Sequence, residues 1–207
     1  LITETIPGLS NARNVATQLA QAPIIAFMDD DAAAAPNWLE VLLAVFEEFG
    51  AAARVVGGRV DPLWGAPRPS WLPDSFLGYV SVVNWGGSAR FANAAEWVAG
   101  TNIAFRVDAL KAVGGFHVHL GRKRGGQALL SNDESDVIEK MTAMGARLVY
   151  APEAVVEHLV PADPAQVGIE FGDRLFDLIG DAAQADVALE QRAGFDRAVA
   201  VRHPLVG

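Results

Sequence analysis

Three consecutive carboxylates, Asp29, Asp30 and Asp31, close the apolar run Ile24-Ile25-Ala26-Phe27-Met28. Five apolar residues between Pro23 and the acids predict a short buried strand, too short for a helix. Carboxylates crowded at the end of such a strand repel one another and need a compensating cation. Asp29 and Asp31, two residues apart, can aim at a shared point if the chain turns directly after the strand. Hard carboxylate oxygens suit Mg²⁺ or Mn²⁺, ions whose coordination is often completed by substrate phosphates. The competing reading of the triplet by itself is a solvated acidic loop capping the next helix.

A second acidic group, Asp133-Glu134, lies in Ser131-Asn132-Asp133-Glu134-Ser135-Asp136, ahead of Val137, Ile138, Met141 and Met144 on a helical face that ends at Gly145. Ser131-x-x-Glu134 has capping-box spacing, and a helix N-terminus favours ionised carboxylates. His117-x-His119 has no acidic neighbours and reads as surface histidines. Arg122-Lys123-Arg124 is either a solvated basic loop or one that closes over phosphate.

The elements that must position these groups alternate. Pro7-Gly8 is a turn, Ser10 an N-cap, and Ala12, Val15, Ala16 and Leu19 carry a helical stripe to Gln21. Pro36 opens a second helix with Trp38, Leu39, Leu42, Leu43, Phe46 and Phe49 inward, stopped by Gly50. Arg54–Val60 is a strand whose Gly57-Gly58 marks a bulge or a close backbone approach. Residues 61–96 are interrupted by Pro62, Pro67, Pro69 and Pro73, and read as a long irregular segment. Its Trp64, Trp71, Phe76, Tyr79 and Trp85 serve either a satellite core or a face for stacking sugars. Trp97–Arg106 reads as strand, and Asp108 caps a short helix ending at Gly114-Gly115. Arg147–Tyr150 and Ala154–Glu157 are short strands parted by Pro152, with helices expected near 170–179 and 182–192. Alternating strands and helices make this an α/β chain.

Composition narrows the function. At 207 residues and 51 % hydrophobic content the chain is expected to form one domain. A net charge of −9 argues against nucleic-acid partners. The absence of cysteine excludes disulfides and thiolate metal sites and fits a reducing compartment. No apolar run approaches the ~18–20 residues of a membrane span, and no signal peptide is evident, so the expected location is cytoplasmic.

Several segments together resemble family-2 glycosyltransferases of GT-A fold. They are Gly8-Leu9-Ser10-Asn11-Ala12-Arg13-Asn14, the strand into Asp29-Asp30-Asp31, Pro36-Asn37-Trp38-Leu39, Gly100-Thr101-Asn102-Ile103-Ala104-Phe105-Arg106, Ala112-Val113-Gly114-Gly115-Phe116, the acidic stretch from Ser131, and Tyr150-Ala151-Pro152-Glu153-Ala154-Val155-Val156 with His158. The resemblance implies a GT-A-like mixed sheet flanked by helices, with residues 1–160 as a partial core and 161–207 as a helical extension. Members of the family normally begin with a base-binding strand and turn, and Leu1 falls beyond that point, so an N-terminally truncated domain is expected.

The resemblance also implies roles. Asp31 would be the main metal ligand, Asp29 a ligand to metal or donor ribose, and His158 a late ligand. The cofactor would be Mn²⁺ or Mg²⁺. Glu134 would be the base that deprotonates the acceptor, with Asp133 the alternative. Arg13, Asn14, Asp30, Gly100 and Asn102 would face the donor. The expected activity is inverting transfer from a nucleotide-sugar to a saccharide or lipid-linked saccharide, with peripheral association at the inner membrane face as one expectation. The rival readings are a noncatalytic nucleotide- or carbohydrate-binding relative and a nucleotidyltransferase.

Overall fold

The longest strand of the molecule runs straight through a proline. The structure, a computed structural model, describes residues 4–70, 72–118 and 133–162. In it the segments flanking Pro152 join into one strand, β6 (Arg147–Val160), which lies parallel to β3 (Ala53–Trp64). The register steps from Gly58↔Ala151 to Arg59↔Val155, so residues 152–154 bulge out of the ladder and Pro152 breaks nothing. Likewise Pro62 does not end β3. Val60 exchanges both backbone hydrogen bonds with Val83, and two residues on, the Pro62 nitrogen faces that same side, where no described strand runs.

Around this pair the sheet has the order β1-β5-β3-β6-β2, from β1 (Ile24–Phe27), β2 (Ala32–Ala34) and β5 (Ile103–Arg106). A two-residue β4 (Arg90–Phe91) shares the outer side of β6 with β2. β5 runs antiparallel to both β1 and β3. The expected strand from Trp97 is shorter because Gly100, Thr101 and Asn102 leave the ladder to make other bonds.

Helices cover both faces. On one, α1 (Leu9–Leu19), α3 (Val107–Ala112) and α4 (Asp133–Ala143) supply Ala16, Leu110, Val137 and Met141 to a core with Phe27, Phe105 and Phe116. Those three rings meet edge to face at 5.5–6.0 Å. On the other, α2 (Trp38–Glu48) lays Trp38, Leu42, Val45 and Phe46 over small sheet residues such as Ala53, Ala104 and Ala154. Leu39 and Leu43, expected inward, are 58 % and 49 % exposed. They sit about 100° round the helix from Trp38 and Leu42, outside the stripe one sheet face can cover.

Two expected caps also differ. Gly8 occupies the α1 N-cap position and Ser10 lies inside the helix, bonded elsewhere; Arg106 precedes α3, and Asp108 sits in its first turn. In the 61–96 segment, Asp74–Val80 forms a 3-10 helix, and Trp64, Phe76 and Tyr79 pack around Leu72, Val80 and Val160. The satellite-core reading holds for those three aromatics. His119, the basic loop 122–124, Ser131 of the capping box, Trp71 and the helices expected beyond residue 162 lie outside the described residues.

Gly57 and Gly58 serve both readings, bulge and close approach. A Cβ on Gly57 would stand 2.3 Å from Val98, and one on Gly58 would stand 2.0 Å from the Ala154 carbonyl oxygen. Backbone cannot yield as a side-chain tip does. Gly58→Ala is therefore expected to lower the urea-unfolding free energy by about 3 kcal/mol or more. An unchanged midpoint would mean that the β6 bulge does not pack against β3 here.

Candidate active site

β2 has no sequence signal beyond three alanines, yet it builds a group of side chains that could hold a metal ion. The chain turns after β1, with the Ala32 amide on the Asp29 carbonyl (3.3 Å), and β2 then pairs Ala32 with His158. The Leu159 amide donates to the Asp31 carbonyl (3.0 Å), which locks the register. As a result His158 Nε2 lies 3.5 Å from Asp31 Oδ1, and ligand atoms of Asp29, Asp31 and His158 all fall within 4.8 Å of one another. Both Asp31 carboxylate oxygens are buried without a hydrogen-bond partner among the described residues. Desolvated carboxylate oxygens left in that state are costly. Two carboxylates and one imidazole, converging, fit a divalent ion of the Mn²⁺ type. Asp30, between them, is exposed and outside the group.

A second cluster forms where α1 meets the start of α4. Arg13 is 1 % exposed, and its Nη1 donates to both Asp133 oxygens (3.2 Å each) and to Glu134 Oε2 (3.4 Å). Its Nη2 donates to the Gly100 carbonyl at 3.3 Å, and the guanidinium lies 5.6 and 5.3 Å from the Phe27 and Phe116 ring centres. The Ser10 hydroxyl donates to Asp133 Oδ2 (2.9 Å).

This geometry separates the two acids. Burial by itself would raise Asp133, but the Arg13 charge and the hydrogen bonds from Glu134 and Ser10 together outweigh it and hold Asp133 below the usual carboxylate range. Glu134 moves the other way: burial, then repulsion by Asp133, push it up to about 8. The neutral Glu134 carboxyl donates to Asp133, so one proton is held between them. Burial works against the Arg13 charge, and Asp133, Glu134 and Asp29 together overcome it, leaving Arg13 a firmer cation than usual. Asp29 thus lies within the field of the second cluster.

Residues 100–102 join the two groups. Gly100 accepts from Arg13, and a Cβ there would lie 2.6 Å from its Nη2 and 3.3 Å from the Glu134 carboxyl. Thr101 Oγ1 accepts the Asp29 amide at 3.4 Å. Asn102 accepts from Trp38 Nε1 and donates to the Arg59 and Ala154 carbonyls, all at 2.8 Å.

A sequence model described as glycosyl transferase family 2 matches residues 1–112, more than half of the chain. The chain belongs to that family. A glucosyl-dolichyl phosphate glucuronosyltransferase of Haloferax volcanii is 31 % identical over 73 % of this chain and 47 % of its own length. The succinoglycan biosynthesis protein ExoM of Rhizobium meliloti is 28 % identical over 77 % and 47 %. The chain thus spans about half the length of the curated relatives it matches. A mannosyltransferase of Pyrobaculum calidifontis, solved with GDP-Man and Mn²⁺, superposes with a TM-score of 0.51 at 22 % identity, over 81 % of this chain and 41 % of that one. The fold is GT-A.

Within this family-2 chain several residues expected at the donor have internal partners instead. Arg13 is enclosed by the Asp133–Glu134 cluster, because a buried guanidinium needs its carboxylates. Asn14 clamps the Phe116 backbone with both ends of its amide (2.8 and 2.7 Å), and Asn102 is wholly buried with its amide fully used. Gly100 leaves room for Arg13 and Glu134. Sequence reasoning missed Ser10 and Thr101 as site-building residues. Ser10 had a signal: it stands three residues before Arg13, on the same helix face.

The raised Glu134 carries a sign. The folded state holds its proton between the ordinary 4.5 and about 8, so this contribution to stability is complete below 4.5 and is lost as pH rises through 8. Urea unfolding from pH 5 to 8 is expected to show stability falling by up to about 1.4 kcal/mol per pH unit, with Glu134→Gln flattening the slope. Parallel profiles for the two proteins would show Glu134 titrating normally.

Proposed function

We propose that this family-2 chain transfers a sugar from a nucleoside-diphosphate donor to a hydroxyl of a saccharide or lipid-linked saccharide, inverting the anomeric centre. The observation that carries the reading is the convergence of Asp29, Asp31 and His158 beside a reachable carboxyl of raised pKa. The dolichyl phosphate named in the Haloferax relative and the GDP-Man and Mn²⁺ of the Pyrobaculum structure support the substrate classes.

Asp29, Asp31 and His158 would hold Mn²⁺ or Mg²⁺. Such an ion, when bound, neutralises charge on a departing diphosphate. In its ionised form, Glu134 takes the proton of the hydroxyl as that oxygen bonds to the anomeric carbon and the nucleoside diphosphate leaves. Its side chain is 19 % exposed, whereas that of Asp133 is 2 % exposed and bound by Ser10 and Arg13, so Glu134 rather than Asp133 meets the acceptor. A base whose pKa lies near the working pH combines availability with proton affinity. Asp133 and Arg13 position it. Direct attack by the acceptor hydroxyl from the face opposite the departing diphosphate would invert the anomeric centre. Asp30, exposed beside the candidate ligands, is left to the donor ribose, whose hydroxyls can donate to it.

Among the described residues no helix is long and apolar enough to cross a membrane. A cytoplasmic location and peripheral contact with the inner membrane face belong to the same proposal. Family membership favours sugar transfer over nucleotidyl transfer, and the intact pair of acidic clusters favours an active enzyme over a noncatalytic relative.

With a panel of nucleotide-sugars and Mn²⁺, nucleoside-diphosphate release by Glu134→Gln should fall on the order of 10²-fold or more. In calorimetry, Asp31→Asn should lose the mutual enhancement of Mn²⁺ and nucleoside-diphosphate binding. Unchanged release in the first variant, or intact enhancement in the second, would count against the assigned role.

A further inference from the structure

Two tryptophans, one in the irregular segment and one directly after it, are in none of the hydrophobic clusters. Trp85 and Trp97 are 37 % and 38 % exposed, while Trp64, Phe76 and Tyr79 are packed in the satellite core. They are nevertheless pinned. Their rings meet edge to face at 6.3 Å, and Trp85 Nε1 donates to the Trp97 carbonyl at 2.8 Å. The Trp85 amide donates to the Tyr150 hydroxyl at 3.2 Å, and the six-membered ring of Trp97 lies over Gly78, where a Cβ would stand 2.9 Å away. Trp85 has therefore committed its one polar group internally and offers solvent only aromatic surface. Holding two large apolar rings rigid in water is unfavourable unless something covers them.

The surroundings favour a sugar as that cover. The Arg59–Asp61 ion pair, 36 % and 34 % exposed, stands within the electrostatic reach of Tyr150. Aromatic faces with a charged, partly open rim match a pyranose, whose C–H face is apolar and whose edge carries hydroxyls. A dry protein interface would instead leave charged groups out of its centre. Trp97 also precedes Gly100 by three residues, a span of at most ~11 Å, and the Glu134 carboxyl abuts Gly100. That spacing lets a saccharide with one hydroxyl at Glu134 reach the tryptophans with the same ring or the next.

We infer that Trp85 and Trp97 form an acceptor subsite that takes the C–H face of a pyranose ring, with Arg59 and Asp61 binding its hydroxyls. The inference rests on Glu134 as the base for its direction, while its test does not depend on catalysis. In ¹H–¹⁵N spectra the five indole N–H signals are assigned by single Trp→Phe variants. The protein is then titrated with the methyl glycosides of glucose, mannose, galactose and glucuronic acid. At least one glycoside should shift the Trp85 and Trp97 signals and leave Trp38, buried against Asn102, in place. Trp85→Ala and Trp97→Ala should weaken that binding about 3- to 10-fold, and Phe at either position should restore most of it. Shifts confined to other indoles, or none with any glycoside, would overturn the subsite even if the enzyme transfers sugar. Shifts at Trp85 and Trp97 without sugar transfer would support the subsite and count against the transferase reading.

Discussion

The buried guanidinium of Arg13 is the constraint from which the rest of the site follows. A cation at 1 % exposure survives only with anions and hydrogen-bond acceptors around it. Asp133, Glu134 and the Gly100 carbonyl meet that need, and the Phe27 and Phe116 rings line the remainder. Meeting it fixes α4 against α1 and forces the segment before β5 to pass close by. It also breaks the symmetry between two adjacent carboxyls. Asp133, nearer the cation, keeps its charge; Glu134, desolvated by burial and then repelled by that charge, keeps its proton. Pushing apart the pKa values of neighbouring acids separates their roles, which is the basis of the base role proposed for Glu134.

The candidate metal site, Asp29, Asp31 and His158, has a different origin, in strand register. Ala32 pairs with His158 just beyond the bulge at residues 152–154 that re-phases β6 against β3, and Asn102 holds that bulge through the Ala154 carbonyl. Since Gly100, Thr101 and Asn102 are consecutive, a displacement at any of the three anchor points reaches the other two. The candidate metal site is therefore supported by the sheet and the Arg13 cluster by α1 and α4, regular elements that hold side chains more precisely than loops do.

Much of this was legible in the chain. The apolar run into Asp29–Asp31 announced the strand and its acidic end, and the acidic stretch before Val137 announced the start of α4. The structure brings Asp29, Asp31 and His158 together, as the family resemblance implied. What local pattern concealed was non-local. Pro62 and Pro152 read as breaks because the side to which a proline nitrogen points depends on strand neighbours. Arg13, Asn14 and Asn102 read as ligand contacts because polarity does not reveal whether the partner is a substrate or another part of the chain. β2 was invisible, being three alanines held only by its pairing with β6.

A double-mutant cycle across Arg13 and Asp133 tests the account at its centre. Urea-unfolding free energies would be measured at pH 7 for the unaltered chain, Arg13→Met, Asp133→Asn and the double variant. If the pair is the buried tie between α1 and α4, each single change strands a partner, and the cycle should give a coupling of about 1–3 kcal/mol. Effects that add to within about 0.5 kcal/mol would mean that Arg13 and Asp133 act independently, and the site would need another organising interaction.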